Sequence, residues 1–293
     1  CILLYLVLKF NNILMKKFIY ILFILFFTNS YAKDVSEFFS NLIPGEGLTE
    51  ASIQINEDDN PDLEILALRD IESTNNSNLF TQFSFHTQET NGHNRLIGNL
   101  GLGYRKLSED KSSMMGINVF LDNDFNAGHQ RGSVGFELKG ANLDLTANSY
   151  HKISNMETYK DTEEQVLSGY TINLASQLPY TPWAKINWQN YAWENEKASS
   201  DTEGNSIALQ AYLTPSVQLE FKNDMSDNSG VDDEFTSKLT YIYPPREDGK
   251  SMQDGFSNVA FEKENVQKKL KEKVERNNNM TVEVQGSIIV TSK

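Results

Sequence analysis

The chain has 293 residues, with 26 Lys and Arg against 40 Asp and Glu, which gives a formal net charge of −14. So acidic a chain argues against a nucleic-acid partner, because such partners are bound through basic surfaces. Its one cysteine, Cys1, excludes an internal disulfide framework and a cysteine metal site. The hydrophobic fraction of 39% is typical of a soluble protein. A transmembrane β-barrel has a similar composition, however, because only one face of each strand contacts lipid.

The N-terminal region has the layout of a secretory signal peptide. Two lysines precede an apolar run at 18–27, and the small residues Ser30 and Ala32 then flank Tyr31 as a cleavage site. We therefore predict cleavage between Ala32 and Lys33. A single anchoring helix is the alternative, but a membrane-spanning helix needs ~20 apolar residues, about twice the length of this run.

Between about Leu79 and Tyr243 the chain repeats segments in which apolar and polar side chains alternate. In one of them Ile117 and Val119 share a face and Asn118 lies on the other. Because a strand has a period of two, each segment forms a ribbon with one apolar and one polar face. A tilted strand of about ten residues crosses a bilayer, so the pattern predicts an antiparallel transmembrane β-barrel. The twelve predicted strands are 51–56, 62–70, 79–88, 95–107, 113–122, 132–139, 142–151, 168–178, 183–193, 206–214, 216–223 and 234–243.

The predicted connections alternate in length, and this alternation favours a barrel. An even number of strands, with short turns at one end and longer loops at the other, is typical of bacterial outer-membrane barrels. A soluble β-sandwich has about as many strands and is the alternative fold. The predicted tight turns are 139–141, 179–182 and 214–216, and the predicted long loops are 123–131, 152–167, 194–205 and 224–233.

The alternation also assigns side chains to the two faces of the predicted barrel. The predicted lipid-facing residues are Leu100, Leu102, Ile117, Val119, Leu121, Val134, Phe136, Leu143, Leu145, Ile172, Leu174, Leu209, Leu213, Leu219 and Leu239. The predicted lumen residues are Arg105, Asn118, Glu137, Asp144, Lys185, Gln210, Glu220 and Lys238.

Three residues near one predicted loop could be read as a catalytic site. Asp122, Asp124 and His129 would suit water activation by paired carboxylates beside an imidazole. We prefer the interpretation that Asp122 and Asp124 cap turns at the start of a loop. The glycines at 98, 101 and 103 lie within a strand and so do not form a dinucleotide fingerprint. We expect them to permit close packing or curvature of the barrel. We therefore predict no enzymatic activity, no cofactor and no metal site.

Six segments, in order, carry a resemblance to a known family. They are 61–68 (PDLEILAL), 99–105 (NLGLGYR), 114–125 (MMGINVFLDNDF), 177–188 (QLPYTPWAKINW), 211–219 (AYLTPSVQL) and 274–284 (VERNNNMTVEV). Together they resemble the β-domain of the intimin/invasin family, the inverse autotransporters. The resemblance implies a twelve-stranded outer-membrane barrel that begins in the periplasm and whose chain threads back through the pore to carry an adhesive passenger outside.

The region after the last strand is interpreted through the same resemblance, which implies a helix there. Residues 258–276 suit it, because Val266, Leu270 and Val274 recur every four residues and form one apolar stripe. We expect this helix either to plug the lumen or to lie on the periplasmic surface. The run 281–291 is expected to form one strand at most. Leu239, Tyr241 and Tyr243 in the last strand resemble the signal read by the barrel-assembly machinery.

The family carries an adhesive passenger after the barrel, and residues 244–293 are too short to form one, so we expect either a fragment of a longer protein or a stand-alone barrel. A host receptor is not expected without a passenger. We predict an outer-membrane barrel that anchors or translocates a C-terminal segment; a stand-alone pore and a soluble exported β-sandwich are the alternatives. Its expected partners are outer-membrane lipid, the general secretion machinery and the barrel-assembly machinery. The predicted regions are 1–14 (upstream translation), 15–32 (signal peptide), 33–50 (short periplasmic segment), 51–243 (barrel) and 244–293 (C-terminal linker with a helix at about 258–276).

Overall fold

The computed structural model describes residues 44–56, 60–198, 200–228, 231–247 and 249–284, and the backbone of Ser287–Ile289. The described residues, from Pro44 onward, belong to one compact unit. The predicted signal peptide, the predicted cleavage between Ala32 and Lys33 and most of the segment 33–50 lie outside the described residues. Within the described part, no helix is long and apolar enough to span a bilayer.

Twelve antiparallel strands close into a barrel, as predicted. The first strand pairs with the last, from Thr49 opposite Tyr243 to Asn56 opposite Thr236, so the sheet has no free edge. This closure makes the β-sandwich alternative wrong. The barrel strands are β1 (Gly47–Asn56), β2 (Asp62–Ser73), β3 (Ser77–Thr90), β4 (His93–Leu107), β5 (Ser113–Asp124), β6 (Gln130–Gly140), β7 (Leu143–Lys152), β10 (Ser168–Leu178), β11 (Thr181–Glu194), β12 (Thr202–Thr214), β13 (Val217–Ser226) and β14 (Glu234–Tyr243).

The two ends of the barrel differ, as the alternation of connections predicted. One end, the turn end, carries short connections and also the point at which the chain enters β1 and leaves β14. At the turn between β4 and β5, Asp110 accepts hydrogen bonds from Ser108 and Ser112. These bonds lower the pKa of Asp110 to about 2. The opposite end, the loop end, carries the longest connections, including a hairpin between β7 and β10, although only Asn91 and Gly92 separate β3 from β4 there.

That hairpin consists of β8 (Glu157–Tyr159) and β9 (Thr162–Val166) and belongs to a second sheet. Its other two strands, β15 (Val282–Val284) and β16 (Ser287–Ile289), come from the C-terminal region, in the order β16-β15-β9-β8. The prediction of one C-terminal strand at most is therefore wrong.

The outer and inner faces of the barrel strands differ sharply in composition. On the outer face Leu100 is 59% exposed and Ile117 is 61% exposed, whereas their inward neighbours Asn99 and Asn118 are 4% and 3% exposed. Large apolar side chains on a continuous exposed band are unusual on a protein surrounded by water. They suit a barrel whose outer solvent is hydrocarbon.

Glycine makes room for large rings inside the barrel. A Cβ on Gly103 would lie 2.3 Å from the Phe80 ring, and one on Gly101 would lie 2.4 Å from the Phe120 ring. Both rings are buried, at 0% and 5% exposure. The glycines of β4 therefore serve close packing, in agreement with the interpretation from sequence.

Candidate functional site

The lumen is occupied by the chain's own C-terminal region. Residues 266–284, here called the lumen segment, follow a stretch at 252–264 that contacts the short turns. In that stretch the N–H of Ser257 donates to the carbonyl of Tyr180 at 2.9 Å, and the Tyr180 N–H donates to the Ala260 carbonyl at 2.7 Å. The lumen segment then contacts β3 and β4 near the turn end and pairs with the hairpin at the loop end. It thus runs through the barrel from one end to the other.

The predicted C-terminal helix is much shorter in the structure than expected. Only Val266–Lys271 is helical, as a 3₁₀ turn, and a second such turn, Met252–Asp254, comes earlier in the range 244–293. The range 258–276 was therefore wrong for the helix. The physical reason is that wall side chains bond the backbone groups of the lumen segment, so it needs no helical hydrogen bonds to satisfy them.

Polar wall side chains form a ladder along the backbone of the lumen segment. The Gln82 Oε1 accepts from the N–H of Val274 at 2.7 Å, and Gln88 both accepts from and donates to the backbone of Met280, each at 2.8 Å. Further wall donors reach backbone carbonyls at 3.0–3.1 Å: Asn78 to Leu270, Asn148 to Glu275, Arg131 to Asn277 and Asn99 to Asn278. The Tyr150 hydroxyl accepts from the N–H of Asn277 at 2.7 Å.

Apolar residues of the lumen segment fill separate pockets in the wall. Val274 packs with Leu68, Phe80 and Phe120, all of them buried. Nearer the turn end, Val266 and Leu270 pack with Leu107 and Met114, and nearer the loop end Met280 packs with Ile97 and Val166. Of the three residues that recur every four positions, Val266 and Leu270 therefore share one pocket and Val274 fills the next.

Ion pairs join the lumen segment to the wall. Four cations of the segment meet wall carboxylates and one carboxylate of the segment meets a wall lysine. The pairs are Lys269–Asp144 at 2.6 Å, Lys271–Asp70 at 2.6 Å, Lys273–Glu50 at 3.1 Å, Arg276–Asp122 at 2.8 Å and Glu272–Lys139 at 3.0 Å. Charge complementarity of this kind fixes one register of the segment in the lumen.

The exposure and contacts of the predicted face residues can be read from the structure. All predicted lipid-facing residues are exposed or partly exposed. Of the predicted lumen residues, Arg105 pairs with Glu137 at 2.8 Å, and Lys238 pairs with Glu64 at 2.7 Å. Lys185 lies 3.3 Å from Glu264, a residue just before the lumen segment. The remaining four residues of the lumen set, Asn118, Asp144, Gln210 and Glu220, also point inward.

The residues considered for catalysis have different structural roles, and one of them, His129, is buried with its Nε2 3.4 Å from the Glu164 carboxylate. The Asp122 carboxylate lies in the lumen between Arg131 and Arg276, so its interpretation as a turn cap was wrong. Asp124 does cap the loop, accepting from the N–H groups of Asn126 and Ala127 at 2.8 and 2.9 Å. Among the described residues, no cluster of three His, Cys, Asp or Glu side chains could hold a metal ion.

Sequence reasoning missed the partners of the lumen segment. Asp122 was interpreted as a turn cap and Arg131 fell in the predicted loop 123–131, and nothing local pointed to Arg276 as their partner. One signal was available: the lumen segment carries five Lys and Arg against three Glu in an acidic chain. A basic stretch in a chain of net charge −14 is a candidate to pair with the acids of the barrel wall.

Comparisons with known proteins agree with this geometry. The family described as "Inverse autotransporter, beta-domain" matches residues 27–278. The inverse autotransporter adhesin YeeJ of Escherichia coli K12 is 27% identical over 225 residues, which is 73% of this chain and 9% of YeeJ. Intimin of Escherichia coli O111:H- is 26% identical over 160 residues, 51% of this chain and 17% of intimin. The chain thus spans less than a fifth of the length of these relatives.

Solved structures share the fold. An outer membrane channel from Pseudomonas putida F1 has a TM-score of 0.52 at 13% identity, covering 68% of this chain and 96% of the channel. A chain from the work "Unveiling the Mechanism Behind the in-meso Crystallization of Membrane Proteins" has a TM-score of 0.64 at 19% identity, covering 81% of this chain and 99% of that one. Because the family match extends over most of the sequence, this chain belongs to the inverse autotransporter β-domain family and is a β-barrel of the outer membrane.

Proposed function

We propose that this barrel anchors its own C-terminal segment across the outer membrane, delivering the end of the chain from the periplasmic side to the outer surface. One observation carries the proposal: the lumen segment runs the length of the pore, from the turn end to the loop end. There β15 pairs with β9, with Val282 opposite Val166.

The orientation follows from the asymmetry of the two ends. Short turns of bacterial barrels face the periplasm and longer loops face the outside. The turn end, where Pro44 and Pro244 lie next to the closing pair of strands, is then periplasmic. Leu239, Tyr241 and Tyr243 lie on the closing strand β14, where they would meet the barrel-assembly machinery.

Occupation of the lumen also favours an anchor over the alternative of an open pore. Wall side chains, apolar pockets and ion pairs all engage the lumen segment, and an open pore needs none of them. The relatives named adhesin and intimin are several times longer than this chain, so the proposal concerns only the transport and holding of the segment that follows the barrel.

Cysteine labelling in intact cells tests the proposal. In a C1S background, Ser292→Cys places a thiol after the lumen segment, and Asn258→Cys places one before it. We expect a membrane-impermeant maleimide to label the Ser292→Cys protein in intact cells and to label the Asn258→Cys protein only after permeabilisation. Lys160→Cys, at the exposed tip of the hairpin, reports the orientation of the barrel itself.

The pattern of labelling separates two ways in which the proposal could fail. Labelling of Lys160→Cys without labelling of Ser292→Cys would mean that the barrel is oriented as proposed but the segment is not threaded. Labelling of Asn258→Cys alone in intact cells would mean that the barrel is inverted.

A further inference from the structure

One side chain of the lumen segment, that of Glu283, binds the backbone of a connection at the loop end instead of a group of the barrel wall. Glu283, in β15, is 2% exposed. Its Oε2 accepts from the backbone N–H of Glu196 at 3.0 Å, and its Oε1 accepts from those of Lys197 at 3.0 Å and Ala198 at 2.7 Å. These three residues belong to the connection between β11 and β12. Both carboxylate oxygens are therefore used by consecutive backbone donors.

Consecutive N–H groups that converge on one point form an anion-binding concavity. Hydrogen bonds to a charged acceptor are about twice as strong as neutral ones. Here the anion is supplied by the threaded chain rather than by the connection itself. The conformation of residues 196–198 consequently depends on a residue that is distant in sequence and has passed through the pore.

The same strand is held on its other side by the hairpin. Val284 in β15 pairs with Glu164 in β9. The Glu164 carboxylate accepts from Arg95 on the barrel wall at 2.6 and 2.7 Å. Glu283 thus lies between a hairpin tied to the wall and a connection that it organises through its carboxylate.

We propose that Glu283 is a positioning residue that orders the β11–β12 connection when the segment is threaded. The wall ladder binds mainly backbone groups, which any sequence would offer. The contact of Glu283, like the ion pairs of the segment, requires a particular charged side chain at one position, but it binds the backbone of a connection rather than a wall side chain. The inference rests on the proposed function, because Glu283 reaches these N–H groups only from a segment that has passed through the lumen.

Trypsin cleavage of the full-length protein in outer-membrane fractions tests this assignment. The side chain of Lys197 is exposed, but its backbone N–H is held by Glu283. The Lys197–Ala198 bond should therefore resist trypsin until the connection opens. Glu283→Gln preserves the shape of the side chain but turns an NH₂ group toward a backbone N–H. Because proteolysis follows the population of the open form, we expect cleavage at this bond to rise about tenfold or more.

Glu275→Gln is the matched control. It makes the same chemical change eight positions earlier in the lumen segment, where the wall contacts the backbone carbonyl of Glu275 instead. We expect this variant to be cut after Lys197 at the wild-type rate. Cleavage after Lys160 at the hairpin tip and the heat-modifiable mobility of the barrel should be unchanged in both variants.

Equal cleavage after Lys197 in wild type and Glu283→Gln would overturn the role of Glu283. If Ser292→Cys were still labelled from outside in that case, threading would stand and only the positioning role would fail. An equal rise in cleavage for Glu275→Gln and Glu283→Gln would also overturn it, because the effect would then come from loss of any segment carboxylate.

Discussion

The Arg276 guanidinium lies 2.8 Å from the Asp122 carboxylate, so the C-terminal segment is ion-paired with a wall residue 154 positions earlier in the chain. Arg131 approaches the same carboxylate at 2.9 Å, and all three side chains are shielded from solvent. The surplus positive charge faces aromatic rings: Arg276 lies 4.3 Å from the centre of the Phe120 ring and Arg131 lies 4.5 Å from that of Tyr150. Because ring faces attract cations, these rings offset part of the free-energy cost of burying two guanidiniums beside one carboxylate.

Replacing the shared carboxylate should be costly. Asp122→Asn leaves two buried guanidiniums without their anion, and removal of one member of a buried pair typically costs about 3–5 kcal/mol. We expect a loss of this order in the free energy of unfolding, measured by urea titration of the folded fraction on unboiled gels. Glu109→Gln, in an exposed turn, removes one negative charge without burial and should leave the unfolding curve unchanged. A loss for Asp122→Asn no greater than that of Glu109→Gln would contradict the importance of the shared carboxylate.

The barrel could be predicted from the sequence because each of its features depends on residues that are close together in the chain. Alternation with a period of two fixes the faces of each strand, and the alternating length of the connections fixes the two ends. The conformation of the lumen segment could not be predicted in this way. The four-residue spacing of Val266, Leu270 and Val274 fits a helix as well as it fits the mostly non-helical chain that the structure shows. Its conformation is set by wall donors and acceptors, such as Gln82 and Gln88, which come together only when the barrel closes.

The packing of rings over glycine in the lumen gives a second prediction. In Gly103→Ala the added Cβ would lie 2.3 Å from the buried Phe80 ring. The Arg105 guanidinium also packs on this ring, 4.4 Å from its centre. Because the ring has no free space, overpacking should cost about 1–3 kcal/mol. Gly132→Ala is the control, since the nearest atom to its Cβ is 3.5 Å away, which is ordinary contact. Equal unfolding free energies for the two alanine variants would show that Phe80 moves aside at no cost.

The outer face gives a third prediction. Val119 is 51% exposed on β5, and a lysine there would face hydrocarbon. We expect Val119→Lys to lose about 2–4 kcal/mol if it lies near the midplane of the bilayer, measured as folded fraction after refolding into lipid vesicles. Gln210→Lys puts the same charge in the lumen beside Glu220 and should refold like wild type. Equal refolding of the two lysine variants would contradict the assignment of faces.

The charge of the emptied lumen gives the last prediction. Deleting 258–293 removes the cations paired with Glu50, Asp70, Asp122 and Asp144. Asp122 keeps Arg131 and Asp144 keeps Lys185 at 4.0 Å, whereas Glu50 and Asp70 lose the ion pairs that the structure shows for them. Because the lumen segment carries five Lys and Arg against three Glu, its loss makes the pore more negative, and a negative pore attracts cations and excludes anions. We therefore expect the deletion to raise single-channel conductance in planar bilayers and to produce a reversal potential of the sign for cation selectivity in a KCl gradient. Heat-modifiable mobility verifies that the shortened barrel is folded before its conductance is measured.

In the deletion background, Asp70→Asn and Asp144→Asn together should reduce the cation selectivity while leaving the conductance high. Glu109→Gln in the exposed turn should change neither the selectivity nor the conductance. An unselective pore of high conductance would mean that the wall lysines and arginines already balance these acids. Unchanged conductance would mean that the lumen segment does not fill the pore.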